Sequence, residues 1–196
     1  MIEYLRGEIN ELTPTFCVVE CGGVGYGVNI TLIDYDALNA PGREQTVKIY
    51  IHESIREDAH ELYGFKEKSA REAFRMLIGV SGVGPNTARL ILSSLTVEQL
   101  SNAISSGNEI PLKSVKGIGG KTAQRIIVDL KDKIKGTGTA LNDSVPVSGT
   151  SYDDAAAALV MLGFTMQQSQ KALKKVYSED PTLSTEQAIK LALKML

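Results

Sequence analysis

The chain has 196 residues, 43% of them hydrophobic and 22% charged, a composition typical of one to three small globular domains. No apolar run reaches the ~18 residues of a membrane span and the start, MIEYLRGEI, lacks signal-peptide regions, so we expect a cytoplasmic protein without a membrane partner. The net charge is uneven, at −7 for residues 1–65, +6 for residues 66–135 and −1 for residues 136–196, which predicts a middle third that binds a polyanion.

Residues 1–65 have the pattern of β-strands separated by turns. The runs rich in Val, Ile, Tyr and Phe are MIEYLRGEI, TFCVVEC, GYGVNITL, TVKIYIHES and HELYGF. A short helix from Asp34 to Asn39 is predicted between the third and fourth strands. Five strands and one short helix favour a small barrel of the OB type, with a β-sandwich as the alternative.

The cysteines, Cys17 and Cys21, lie in the second predicted strand. Strand alternation puts both on one face but too far apart to pair, so we predict two reduced, buried thiols. Two cysteines and two histidines are too few ligands for a zinc site, and we predict no metal and no cofactor.

Residues 66–135 change to a helical period. Ser69 is predicted to cap the first helix, Pro85 to occupy the first position of the second, and Thr96 to cap the third. A last helix is predicted from about Lys121 to Ile134. The region is therefore expected to be an all-α domain of about five helices.

Two similar glycine turns recur 35 residues apart, in SGVGPNTARLI (residues 81–91) and KGIGGKTAQRI (residues 116–126). Glycine can adopt positive φ and leaves no side chain to block a ligand, and the N–H groups of the following helix start can hold a phosphate. The side chains of Val83 and Ile118 are predicted to be buried in the hairpin core beneath each turn. Ala88 and Ala123 are predicted to let the two helices of each hairpin pack closely. One copy alone would indicate a tight connection with a glycine cap, but two copies in a basic region favour a paired phosphate-binding element.

The second turn also contains Gly120-Lys121-Thr122, similar to the end of a P-loop. That motif needs a Gly five positions before Gly120, where this chain has Val115, and no strand precedes it. We therefore predict no nucleoside triphosphate site and no catalytic residues.

The end of the chain has two parts. Residues 136–150, GTGTALNDSVPVSGT, have little apolar periodicity and are predicted to form a flexible linker with a reach of about 20 Å. Residues 151–196 are predicted to form a three-helix bundle, with Gly163 just after its first helix as a C-cap.

The paired turns resemble a double helix-hairpin-helix module, which binds the DNA backbone without reading sequence. The chain as a whole resembles the bacterial RuvA family. The resemblance covers MIEYLRGEI, the Gly22-Gly23-Val24-Gly25-Tyr26 turn, Arg56-Glu57-Asp58-Ala59 and Leu62-Tyr63-Gly64-Phe65. It also covers the domain order: an OB-type β-barrel in residues 1–65, a double helix-hairpin-helix domain in residues 66–135, the linker and the bundle. The implied fold class is multi-domain α+β.

The turns and the resemblance together identify candidate DNA-backbone contacts around the two hairpins. They are Gly82, Gly84, Asn86, Thr87, Lys113, Lys116, Gly117, Gly119, Gly120, Lys121, Thr122 and Arg125. Members of the family often have lysine where this chain has Asn86 and Gly120. We therefore expect a weaker electrostatic contact per subunit, without loss of binding.

The resemblance implies two further sites. Glu57 and Asp58 would form an acidic pin at the centre of the assembly, where carboxylates repel phosphates and guide strands apart. Leu159, Leu162 and Leu193 would face the motor subunit RuvB, although core packing is an equally good interpretation for any one of them.

The resemblance implies a non-catalytic subunit that binds four-way Holliday junctions, holds them open and loads the hexameric RuvB ATPase for recombination and repair. The implied partners are junction DNA, RuvB, further copies of the chain as one or two tetramers, and the RuvC resolvase. One alternative is a catalytic nuclease or helicase that uses the hairpins as a clamp, which the missing P-loop and metal cluster disfavour. Another is a single-strand-binding OB protein, which the scarcity of aromatic residues disfavours.

Overall fold

The fold comes from a computed structural model, which describes residues 1–42, 45–136, 151–180 and 183–196. The chain divides into two compact units, Met1–Val145 and Pro146–Leu196. Of the described helices, none combines the length and the apolar character that crossing a membrane would require. Apart from Gly136, the predicted linker lies outside the described residues.

The first unit begins with a closed five-stranded barrel, which agrees with the predicted OB-type barrel and rules out the sandwich. The strands are β1 (Tyr4–Thr13), β2 (Phe16–Cys21), β3 (Val24–Asn29), β4 (Thr46–Ile55) and β5 (His60–Phe65). They pair in the order β1-β2-β3-β5-β4, and every pairing is antiparallel except that of β3 with β5. Alternate residues of β4, Val47, Ile49 and Ile51, point into the barrel core, as a period of two requires.

A short helix, α1 (Leu32–Leu38), lies between β3 and β4. It begins two residues before the predicted start because the Thr31 hydroxyl accepts a hydrogen bond from the Asp34 N–H and caps it. The Asp34 carboxylate in turn accepts from the Lys66 N–H at 2.8 Å, just after β5. Burial raises the pKa of the Asp34 carboxyl. The hydrogen bond from Lys66 to Asp34 connects α1 to the segment that follows β5.

Five helices follow within the described part of the first unit, as the helical period predicts. They are α2 (Lys68–Ile78), α3 (Pro85–Ser94), α4 (Val97–Ser106), α5 (Ile110–Lys113) and α6 (Gly120–Gly136). Pro85 is the first residue of its helix, and Thr96 caps α4 through a capping box with Gln99. The predicted cap at Ser69 is wrong: Glu67 is the N-cap, and Ser69 is buried inside α2. The Arg71 N–H already bonds to the Glu67 carbonyl, so the helical pattern starts before Ser69.

The helices pack directly on the barrel. The ring of Phe74 on α2 lies 5.1 Å from that of Tyr63, 5.0 Å from that of Phe65 and 5.3 Å from that of His52. Tyr63 and Phe65, both on β5, therefore belong to the core of the helical region. The division at residue 65 separates two parts of one compact unit.

Two arginines from the helices reach back to the barrel. Buried Arg71 on α2 donates to the Glu3 carboxylate at 2.6 Å and to the Glu3 carbonyl at 2.9 Å. The hydrogen bond to the carboxylate and the positive charge of Arg71 hold the pKa of Glu3 below its ordinary value. Arg89 on α3 donates to the Thr15 carbonyl at 3.2 Å and to the Asn29 side chain at 3.1 Å. These contacts fix α2 and α3 relative to the barrel strands.

The second unit contains the helices α7 (Ser151–Met161), α8 (Met166–Glu179) and α9 (Thr185–Leu193), in agreement with the predicted bundle. Capping boxes begin α8 at Thr165 and α9 at Ser184. Gly163, with φ of 101°, follows α7 as the predicted C-cap. The core is small and rich in alanine, with Leu159, Leu173 and Val176 as its largest buried aliphatic side chains.

Candidate nucleic-acid interface

The two glycine turns have the same backbone structure. The first glycine of each turn has positive φ, 88° at Gly82 and 91° at Gly117. The apolar residue that follows, Val83 or Ile118, is buried in the core, as predicted. The two turns therefore form equivalent connections, one between α2 and α3 and the other between α5 and α6.

The hydrogen bonds around the two turns repeat with the 35-residue offset seen in the sequence. The Val83 N–H bonds to the Val80 carbonyl at 3.0 Å, and the Ile118 N–H bonds to the Val115 carbonyl at 3.1 Å. The next helix starts in the same way, since Ala88 and Ala123 donate to the second glycine of each turn at 2.9 and 3.0 Å. Both alanines are fully buried, which permits the close helix packing expected of them.

The second glycine of each turn has a different role from the first. Positive φ does not extend to Gly84 or Gly119; Gly84 is an N-cap with φ of −85°. Beyond the two neighbouring residues, a Cβ at either position would meet no heavy atom within 4 Å. These glycines are therefore not required by the chain's own backbone, and what they provide is open space in front of a helix start.

The exposed helix starts provide hydrogen-bond donors. The N–H groups in the first turn of a helix lack intrahelical acceptors, and the helix dipole adds positive charge there. Asn86 and Thr87 supply these groups on α3, where Pro85 has no N–H, and Gly120, Lys121 and Thr122 supply them on α6. Both helix starts can hold an anionic oxygen, and the second has one more donor.

The predicted cations around the second turn fall into two groups. Lys116 and Lys121 are exposed and make no ion pair with any residue the structure describes. Lys113 is paired with Glu109, with 2.6 Å between Nζ and Oε2. Arg125 donates to the Ser81 carbonyl at 3.2 Å and so joins the second hairpin to the first turn. The first group is free for phosphate, and the second already has protein partners.

The backbone around Gly120 differs from that of a P-loop. Val115, which occupies the position of the missing P-loop glycine, is buried in the hairpin core. The residues before the turn belong to the short helix α5, where a P-loop has a strand. Across the residues described, no three His, Cys, Asp or Glu side chains come together as a possible metal site.

The predicted pin is the tight connection between β4 and β5. The Arg56 N–H bonds to the Ala59 carbonyl at 2.8 Å, which leaves Glu57 and Asp58 exposed at the tip. The Arg56 guanidinium bonds to the Glu61 carboxylate on β5 at 2.9 Å. The nearest arginine in sequence is therefore paired with a carboxylate of β5.

A second contact supports the base of the pin. His60, which begins β5 as predicted, lies with Nε2 2.9 Å from Oε1 of Glu53 on β4. This hydrogen bond holds the pKa of Glu53 below its ordinary value. The two strands that carry Glu57 and Asp58 are thus joined by side-chain contacts as well as by the sheet.

The predicted contact residues of the second unit differ in their exposure to solvent. Leu159 is 0% exposed and packs in the core, so the prediction that its side chain faces a partner does not fit this structure. Leu162 and Leu193 are 59% and 42% exposed. Further exposed apolar side chains flank them in sequence: Val160, Met161, Met166, Leu191, Met195 and Leu196.

Three side chains near the predicted sites were not identified from sequence. Arg71 and Arg89 position the helices, but their barrel partners lie more than 50 residues away in the chain, and no local pattern indicates such contacts. Glu109 pairs with Lys113 at a spacing of four residues. That spacing is the signal that could have identified this pair.

Three family models match successive parts of the chain. The model of the RuvA N-terminal domain matches residues 1–64, that of the SAM-like helix-hairpin-helix tandem matches residues 74–132, and that of the RuvA C-terminal domain matches residues 150–196.

Curated relatives match over the full length of both chains. A protein of Parabacteroides distasonis is 55% identical over 199 residues, one of Bacteroides fragilis is 50% identical over 204, and one of Flavobacterium psychrophilum is 44% identical over 196. Each is named Holliday junction branch migration complex subunit RuvA. With the two equivalent hairpins and the barrel, these matches establish that the chain belongs to the RuvA family.

Proposed function

We propose that this chain is the junction-binding subunit of a Holliday junction branch migration complex. The observation that carries the proposal is the pair of equivalent glycine turns. Each has positive φ at its first glycine, at Gly82 and Gly117, and each opens onto an exposed helix start in the region of net charge +6. Two such units side by side suit a polyanion with regularly spaced phosphates.

The contacts proposed here are to the DNA backbone. N–H groups at the starts of α3 and α6 would donate to phosphate oxygens, the half-buried hydroxyls of Thr87 and Thr122 would add donors, and Lys116 and Lys121 would add charge. Such contacts carry no base information, so binding would depend on the path of the backbone. The Arg125 bond to Ser81 would keep the two turns at a fixed separation.

The pin would act by repulsion. Glu57 and Asp58 are exposed on a supported hairpin, and the same barrel is joined to α2 and α3 by Arg71 and Arg89. Carboxylates fixed relative to the phosphate-binding turns would repel a duplex that crossed them, and would favour DNA whose strands separate there.

We also propose how the chain assembles on a junction and which proteins it binds there. A four-way junction has four arms, so four copies of the chain in a ring would give each arm an equivalent pair of hairpins, with a second tetramer on the opposite face as an option. RuvB would bind exposed apolar residues of the second unit, including Leu162 and Leu193, and would supply ATP hydrolysis. The RuvC resolvase is a further proposed partner.

Structure-selective, salt-dependent binding is the direct test of this function. We expect a four-way junction to bind more tightly than a linear duplex or a single strand of the same sequence, because only the junction engages several subunits. Affinity should fall steeply between two salt concentrations, because phosphate contacts release counterions. Gel mobility measures both effects. Equal affinity for junction and linear duplex would contradict the proposal.

Removing the charges of the pin is expected to strengthen or broaden DNA binding. Glu57→Gln with Asp58→Asn keeps the shape of the tip and removes a repulsive element, so linear duplex should gain the most affinity. The double variant and the unchanged protein are compared on both DNAs in one gel series. Weaker junction binding by the variant would mean that the carboxylates make attractive contacts.

A further inference from the structure

One ion pair lies directly beside the proposed phosphate site of the second hairpin. Lys113, the last residue of α5, contacts the Glu109 carboxylate at 2.6 Å. A methyl group placed on Gly120 would lie 3.4 Å from Cε and 3.7 Å from Nζ of the same lysine. The Lys113 ammonium is therefore held next to the first residue of α6, in space that the absence of a side chain at Gly120 leaves open.

A cation in this position opposes the helix dipole. The start of α6 carries partial positive charge from its free N–H groups, so an ammonium beside it is unfavourable unless an anion lies near both. In the structure the ammonium is paired with the carboxylate of Glu109. In a DNA complex, a phosphate at the α6 start would be the natural replacement, because it could contact the N–H groups and the ammonium together.

We infer that Glu109 competes with DNA phosphate for Lys113 and so lowers the affinity of the second hairpin. This inference rests on the proposed function and adds a residue that tunes it. Glu109 differs from the pin carboxylates because it acts on one identified cation, and Lys116 and Lys121 have no such competitor among the described residues. Junction binding then includes an exchange in which Lys113 leaves one carboxylate for one phosphate.

The substitution Glu109→Gln tests the competition without altering the shape of the site. Glu109 is the N-cap of α5 but makes no side-chain capping hydrogen bond, so the helix start does not depend on its charge. We expect affinity for a four-way junction to rise about twofold per subunit, and up to about 16-fold if four subunits contact one junction independently. Linear duplex should gain as well, because the contact is with a phosphate.

Two further variants separate local competition from a general change in charge. Glu98→Gln removes an equal charge from an exposed position in the first turn of α4, where Glu98 forms no ion pair with a described residue, and it should leave binding nearly unchanged. In a Lys113→Gln background, adding Glu109→Gln should give little or no gain, because the contested cation is absent. Thermal unfolding of each variant checks that the fold is retained.

The possible results distinguish this inference from the proposed function. If the unchanged protein lacks junction selectivity, the proposed function itself fails. If it binds selectively but Glu109→Gln gives no gain, or gives the same gain with and without Lys113, the competition is absent. Weaker binding by Glu109→Gln would mean that Glu109 positions Lys113 for DNA, which also overturns the inference.

Discussion

Replacing Gly119 with Val is expected to preserve the fold and to lower the affinity for a four-way junction about tenfold or more per subunit, the equivalent of one lost charge-assisted hydrogen bond. The fold should tolerate the change because Gly119 does not have positive φ and, beyond its two neighbouring residues, a Cβ there meets no heavy atom within 4 Å. In the proposed complex a phosphate would approach the start of α6 through the same open space, and a branched side chain would fill it. Junction titrations beside thermal unfolding measure the two effects.

Two comparison variants make this result specific. Lys121→Ala removes one exposed, screened charge and should cost only about two- to threefold in affinity per subunit. Gly117→Val replaces a glycine whose φ is 91°, so it should destabilise the protein. A loss of junction affinity in this variant would therefore reflect loss of folded protein as well as loss of DNA contacts. If Gly119→Val retains the unfolding temperature and still binds junctions normally, the α6 start is not a phosphate site.

The elements of the fold could be predicted because their signals are local. The runs of β-branched and aromatic residues, the proline at the start of α3 and the Thr96 capping box each act within a few residues of chain. The Ser69 cap failed because a competing residue, Glu67, begins the helix through its backbone carbonyl alone, which no side-chain pattern reveals. The packing of α2 on the barrel through Phe74 and Arg71 depends on residues far apart in sequence.

The sequence predicted which residues form the candidate site, but not their backbone conformation or their side-chain partners. The repeated spacing of glycines identified both turns, but it could not assign positive φ to Gly117 and open space to Gly119. It also could not separate the free cation Lys121 from Arg125, which has a partner in the other hairpin. Those distinctions depend on tertiary contacts, and they decide which substitution tests binding and which tests folding.

Leu159 illustrates the same limit in the second unit. Leu159 and Leu162 lie three residues apart on or just after one helix, a spacing that suits a shared face. The helix ends at Met161, and Leu162, in the turn before Gly163, is 59% exposed while Leu159 is buried in the core. The resemblance implied one partner-facing role for both residues, and it could not show which of them packs in the bundle core.

Removing the second unit is expected to abolish stimulation of RuvB-driven branch migration while leaving junction binding close to normal. A chain cut after Gly138, within the predicted linker and outside the described residues, keeps the barrel and both hairpins, and with them every proposed DNA contact. It loses the exposed apolar residues proposed to bind RuvB, among them Leu162 and Leu193. Gel mobility with four-way DNA measures the first activity, and a branch-migration assay with added RuvB measures the second.

Point variants of the full-length chain refine this prediction. Leu162→Ser with Leu193→Ser should reproduce the loss of stimulation with little change in thermal stability, because both side chains are exposed. Leu159→Ala should instead destabilise the bundle by about 2–5 kcal/mol, because it opens a cavity in an alanine-rich core. Full stimulation by the truncated chain would move the RuvB contact to the first unit, and loss of junction binding on truncation would mean that the second unit contributes DNA or assembly contacts.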